Sequence, residues 1–188
     1  MTDNSLRTFL ALEIPDGVKD QLKLAREGLP NELPRARWTR PEGWHLTLKF
    51  LGEAEPRVLA VLSTEITPLV RGIGAVSVKL EKVGFFPSSM RPRVAWVGGT
   101  ADGIDRVVEA VEKAAEIAGF PRERRPWSIH VTQARLKMQW PNAAVERFLE
   151  WGDNLDLEAF ICREAVLFSS DLQPGGAVYT ALERYSLE

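Results

Sequence analysis

The sequence predicts an α+β fold in which two related lobes face each other across a groove. Three observations lead there. The periodicities run strand, helix, strand, helix, hairpin, helix, strand, helix, hairpin, an order that suits α+β better than a doubly wound parallel sheet. Connections are mostly short, with no long linker and no low-complexity tract, so residues 1–188 are expected to form a single bilobal domain. A strand that carries a histidine and a threonine also occurs twice, at His45 and at His130.

Leu6 to Ile14 reads as the first strand. Pro15-Asp16 opens a helix with Val18, Leu22 and Leu29 on its apolar stripe, and Gly28 and Pro30 end it. A proline-broken connection leads to the short extended piece Arg37-Trp38-Thr39 and the turn Pro41-Glu42-Gly43. From Trp44 to Phe50 the chain alternates strictly, so Leu46, Leu48 and Phe50 take one face and His45, Thr47 and Lys49 the other. Gly52 closes that strand. Pro56 begins a second helix at its first turn, Val58, Leu59, Leu62 and Ile66 make its buried stripe, and Pro68 limits it.

Ala75 to Leu80 alternates as a strand and runs on toward Gly84-Phe85-Phe86-Pro87. It pairs as a long-tipped hairpin with Val94 to Val97, which Gly98-Gly99 bounds. Asp102 is the expected cap of a third helix, with Ile104, Val107, Val108, Val111 and Ala115 at helical spacing and Gly119 as its stop. The charged loop 121–126 leads into the second histidine strand, Ile129 to Arg135. A short helix, Asn142 to Trp151, precedes two long strands, Leu157 to Phe168 and Ala177 to Tyr185, joined by a loop from Asp171 to Gly176.

Composition narrows the function. The chain has 24 basic and 26 acidic residues, a formal charge of −2, which argues against broad binding along a nucleic-acid backbone but permits a grip on one terminal phosphate. Cys162, the lone cysteine, sits in an apolar run and reads as a buried inert thiol. The start of the chain lacks a basic-then-apolar signal, and no run approaches the ~18 apolar residues of a membrane span. The expectation is a cytoplasmic monomer with no membrane contact and no stable protein partner.

The two histidines are the only ones in the chain, and each opens a His-apolar-Thr triplet in a strand-like setting. A lone histidine on a strand is usually structural. Two copies that use up every histidine point to chemistry. With an unperturbed pKa of about 6.5, one imidazole can take a proton while the other gives one near neutral pH. The threonine two residues on faces the same way, so its hydroxyl can donate to an anionic oxygen held between the rings. That arrangement suits phosphate ester cleavage better than acyl transfer. The sequence lacks the ligand spacing of a zinc site, a P-loop and a Gly-x-Ser-x-Gly elbow, so no metal and no cofactor is expected. Phe9, Trp38, Trp44 and Trp127 could offer a stacking surface for a base, with Phe9 and Trp44 the leading pair, although core packing is the stronger explanation for each one alone. Lys49, on the expected face of His45, would add positive potential.

The sequence resembles the two-histidine phosphoesterase superfamily, in its RNA 2′,3′-cyclic phosphodiesterase (2′-5′ RNA ligase-like) branch. The matching stretches are Arg7 to Leu12, Arg37 to Glu42, His45 to Gly52, Arg91 to Gly98, Arg125-Pro126, His130-Val131-Thr132, Ala134-Arg135 and Leu167 to Ser170, nearly the whole chain. The resemblance implies two pseudo-twofold-related antiparallel sheets with helices outside and a central cleft. It implies metal-free hydrolysis of an RNA or nucleotide 2′,3′-cyclic phosphate to a 2′-phosphate, with weak reversible 2′-5′ ligation. His45 would then be the general acid and His130 the general base, with Thr47, Thr132 and Arg135 on the substrate phosphate. Simple alternation sets Arg135 opposite His130, so its role requires a bulge or the strand's end. Two positions depart from the family pattern: Ile129 replaces a proline, and Gln133 replaces an apolar residue. Cleavage of 2′-5′ oligonucleotides or of ADP-ribose cyclic phosphate, and non-catalytic binding of RNA ends, stay open as alternatives.

Overall fold

The computed structural model describes residues 5–174 and 176–188. In chain order it builds β1 (Leu6–Glu13), α1 (Asp16–Glu27), β2 (Arg37–Trp38), a 3₁₀ turn (Pro41–Gly43) and β3 (His45–Ala54). It continues with α2 (Pro56–Val70), β4 (Val76–Phe86), β5 (Val94–Asp102), α3 (Ile104–Ile117) and β6 (Val131–Arg135). The last elements are α4 (Asn142–Gly152), β7 (Phe160–Cys162), β8 (Glu164–Gln173) and β9 (Gly176–Ser186).

The strands form two sheets, β3-β1-β8-β9 and β2-β6-β5-β4-β7, and every pairing is antiparallel. The α+β class with two antiparallel sheets is therefore as expected. The sheets echo each other. In one, β1 runs beside the first histidine strand; in the other, β5 runs beside the second, and each pair contains a bulge three residues after the histidine.

One buried cluster runs through both sheets. It joins Leu10, Leu12 and Leu46 to Leu80, Val97 and Val131, under Leu22 of α1, Leu62 of α2 and Val111 of α3. Each Leu- or Val-sized side chain removed from water contributes about 1.5–3 kcal/mol, so the helices are held by the stripes read from their spacing. Trp140 and Phe148 of the α4 region pack separately on Phe85, Ala95 and Ala134. Among the described residues no helix is long and apolar enough to cross a membrane.

Several boundaries differ from expectation. β5 does not stop at Gly98-Gly99 but runs through both glycines. A Cβ on Gly99 would lie 1.9 Å from the Lys79 carbonyl oxygen, so glycine is what lets the backbones close here. Asp102 ends β5 rather than capping α3, whose N-cap is Gly103 at φ 87°. Pro68 sits inside the last turn of α2 instead of ending it. The stretch from Leu157 to Phe168 is not one strand: β7 joins one sheet and β8 the other, with the switch at Arg163. The expected loop at Asp171 is shorter, because β8 extends to Gln173 and β9 starts at Gly176.

Candidate active site

The 3₁₀ turn at Pro41–Gly43 delivers the chain to His45, the first residue of β3, and leaves the Gly43 carbonyl beneath the ring. His45 Nδ1 lies 2.8 Å from that oxygen. His130, one residue before β6, holds its Nδ1 2.8 Å from the Ser128 carbonyl oxygen. Both rings thus donate from Nδ1 to the carbonyl two residues upstream. In the neutral ring this leaves Nε2 as the acceptor, the tautomer inferred from the hydrogen bonds. The Thr47 hydroxyl donates to His45 Nε2 across 3.0 Å. His45, Thr47, His130 and Thr132 line one cleft of about 620 Å³ between the sheets.

Both strands bulge at the same offset. Leu10 and Ala11 of β1 face Lys49 and Thr47, so Leu48 is the extra residue; Ala95 and Trp96 of β5 face Ala134 and Thr132, so Gln133 is the extra one. A bulge reverses the alternation beyond it. Arg135 is thereby returned to the side of His130 and Thr132 and lines the cleft. The same step on β3 exchanges Lys49 and Phe50, which corrects two expectations. Lys49 is not on the face of His45; it is 7% exposed and ion-paired to Glu112 at 2.8 Å, with a second bond to the Pro121 carbonyl. Phe50 leaves the core and enters the cleft 52% exposed, with the Arg7 guanidinium 4.5 Å over its ring.

The aromatic residues divide differently from expectation. Trp44 is 2% exposed, its indole N–H donates to Thr39 Oγ1 at 2.8 Å, and the Arg26 guanidinium covers its ring, so no face is left for a base. Phe9, 3% exposed, packs against His45 at 4.6 Å and against Phe168 and Tyr179; it is the wall behind the histidine rather than a stacking platform. Trp127 reaches away to donate to the Thr47 carbonyl, while Trp38 lines the cleft. Thr39, Phe50 and Tyr179 belong to the site although sequence reasoning passed over them. The Thr39 hydroxyl lies 2.7 Å from the Thr132 carbonyl oxygen and 2.9 Å from that of Gln133, tying the approach to β3 onto the bulge of β6.

The two rings sit in unequal surroundings. Tyr179 meets His45 edge-on at 5.1 Å and Phe9 covers a side of it. Burial pushes the His45 imidazole down to about 4; its bond to Gly43 works against this, and the charges of His130 and Lys19 add to it. His130 has one aromatic neighbour among the described residues, Phe86, edge-on at 5.0 Å. Among the described residues no three His, Cys, Asp or Glu side chains gather as a metal-holding group.

Known proteins resemble this chain in sequence and in fold over nearly its whole length. The model of the LigT-like phosphoesterase family matches residues 12–96. An RNA 2′,3′-cyclic phosphodiesterase of Thermotoga maritima is 30% identical, covering 97% of this chain and 96% of the relative. A protein of the same name from Thermus thermophilus is 31% identical, over 97% and 90% respectively. Among solved structures, E. coli LigT in complex with 3′-AMP superposes with a TM-score of 0.75 at 22% identity, covering 97% of this chain and 98% of that one. A Thermus thermophilus protein reaches a TM-score of 0.76 at 26% identity over the same shares.

Proposed function

The chain belongs to the LigT-like phosphoesterase family, and from that premise we propose that it hydrolyses a terminal 2′,3′-cyclic phosphate, on RNA or on a nucleotide, to a 2′-phosphomonoester. One observation carries the reading. Two His-x-Thr pairs from opposite sheets line a single cleft, and each imidazole is pinned through Nδ1, which leaves Nε2 as the proton-exchanging atom, held in the free chain by the Thr47 hydroxyl at His45. The relatives' names add the substrate class.

In the proposed reaction His130 Nε2 takes a proton from water as its oxygen bonds to phosphorus. The bond from phosphorus to the 3′ oxygen breaks, and His45 gives that oxygen its proton, leaving the phosphate on the 2′ oxygen. His130 ends protonated and His45 neutral, and exchange with solvent restores both. The Thr47 and Thr132 hydroxyls donate to the non-bridging oxygens, where negative charge grows. Each proton transfer of this kind is typically worth about 10²–10⁴-fold. An imidazole held at about 4 is neutral in the free chain. An incoming phosphate anion favours the imidazolium, so the acid is charged by the substrate it serves.

The test uses two substrates in the presence of a chelator. A 2′,3′-cyclic nucleotide should be hydrolysed at an undiminished rate, since both proton carriers belong to the chain. A substrate with sulfur in place of the 3′ oxygen has a leaving group that needs no proton. Its hydrolysis should be largely restored in His45→Ala and stay slow in His130→Ala. Rescue in His130→Ala instead exchanges the two roles, and rescue in neither rejects the acid–base division. Dependence on a divalent ion rejects the metal-free mechanism.

A further inference from the structure

The two histidines work as a pair only if their spacing is fixed, and no strand pairing fixes it. β3 lies in one sheet and β6 in the other, so the His45 strand and the His130 strand share no ladder. The backbone that delivers each ring is also irregular. Residues 121–130 belong to no helix or strand, and Thr39, Arg40 and Trp44 lie outside the elements around them. Two side-chain links span the gap instead. The indole N–H of Trp127, three residues before His130, donates to the Thr47 carbonyl oxygen across 2.8 Å. From the other side, the Trp44 indole N–H donates to the Thr39 hydroxyl at 2.8 Å. That hydroxyl has one proton to give, and the Thr132 carbonyl oxygen lies 2.7 Å away, with that of Gln133 at 2.9 Å.

The links are crossed and equivalent. In each, the acceptor is the carbonyl of the motif threonine, the residue just before the extra residue of its bulge, Leu48 or Gln133. A bulge disrupts the ladder locally, which lets a side chain take a carbonyl there. In each, the donor chain starts from an indole just upstream of the other histidine. Both ends are anchored. Trp44 is 2% exposed beneath the Arg26 guanidinium, and the loop that carries Trp127 is fastened again where Lys49 of β3 donates to the Pro121 carbonyl oxygen at 2.9 Å. We propose that Trp127 and Thr39 are positioning residues, which hold the two imidazoles at the separation where one phosphorus centre is within reach of both. Each acts through a backbone carbonyl of the opposite histidine strand rather than on the substrate. Two proton transfers in one event need both rings within about 3–3.5 Å of their atoms at once, so a small drift between the sheets costs rate although each ring stays intact. The role rests on the hydrolysis proposed above for the histidine pair.

The variants are Trp127→Phe, which keeps a ring and removes the N–H, and Thr39→Val, which keeps the shape and removes the hydroxyl. Each is assayed on adenosine 2′,3′-cyclic phosphate and on its analogue with sulfur at the 3′ bridging position, whose leaving group calls on one imidazole alone. For the oxygen substrate kcat should fall roughly 10–100-fold, the scale of a misplacement of about 1 Å. For the sulfur substrate it should change little, whichever histidine is the acid. Thr39→Ser restores the hydroxyl and should restore the oxygen rate. Loss of folded protein lowers both rates by one factor, so an equal loss on the two substrates overturns the proposal, as does a Thr39→Ser variant as slow as Thr39→Val. A second measurement needs no turnover. Inorganic phosphate, followed by NMR of the two imidazoles, should shift both rings with one binding constant in the wild type. It should bind about tenfold more weakly in Trp127→Phe and Thr39→Val, and affinity equal to the wild type overturns the proposal. Weaker phosphate binding in the variants, with neither substrate hydrolysed by the wild type, upholds the positioning role and rejects the hydrolytic reading alone.

Discussion

His45 and His130 use their Nδ1 atoms identically and differ in what surrounds the ring. His45 sits behind Phe9 and beside Tyr179, which strip water from it and hold it down at about 4. The profile of kcat/KM against pH reports the free chain, and that of kcat reports the substrate complex. The acidic limb of kcat/KM should therefore lie near pH 4, far below the unperturbed 6.5 or so of histidine. In the complex the phosphate anion raises the same group, so the corresponding limb of kcat should move to higher pH. Coincident limbs in the two profiles would mean that substrate charge does not reach His45. The threonines give a second handle. Thr47→Ala and Thr132→Ala should each weaken transition-state binding by roughly 1.5–3 kcal/mol, the range for hydrogen bonds to charged groups. Melting temperatures should hold, because both hydroxyls face the cleft; a variant that unfolds instead would assign that threonine to the structure.

At the scale of the element, the bulges decide what the strands present. The faces of His45, Thr47, His130 and Thr132 were legible from period two because all four precede the extra residue in their strands. Beyond it, the same period sent Lys49 to the cleft and Phe50 to the core, the reverse of what occurs. Nothing in the alternation marks Leu48 as the extra residue, since its apolar side chain fits a core-facing position in either register. Arg135 was legible only as a condition, a role that needed a bulge, and Gln133 supplies it. Tyr179 was illegible because β8 and β9 bring it to His45 from the far end of the chain. Gln133 itself turns inward with 0% exposure, and neither of its amide atoms has a hydrogen-bond partner among the described residues. Burying such a group unpaired costs about 1–3 kcal/mol. Gln133→Met, close in length and apolar, should raise stability in urea by an amount of that order. Unchanged or lowered stability would show that the amide is satisfied in solution.

At the scale of the whole molecule, the core shared by both sheets ties the titration of His45 to the stability of the chain. Its folded value of about 4 lies below the unfolded value of about 6.5, so the folded chain favours the neutral ring. Above pH 6.5 the ring is neutral in both states and the full stability is present. As pH falls from about 6.5 toward about 4, the unfolded chain takes up a proton that the folded chain refuses, and stability declines by about 1.36 kcal/mol per unit. The loss totals on the order of 3 kcal/mol and ends below about 4, where both states are protonated. Carboxylates titrate over part of the same range, so the measurement is a difference. Urea unfolding of the wild type and of His45→Asn, followed from pH 8 to pH 4, should give curves that converge on acidification, as the wild type alone loses this term. Parallel curves across that range would mean that His45 is solvated in the folded chain, and the low acidic limb expected of kcat/KM would fail with it.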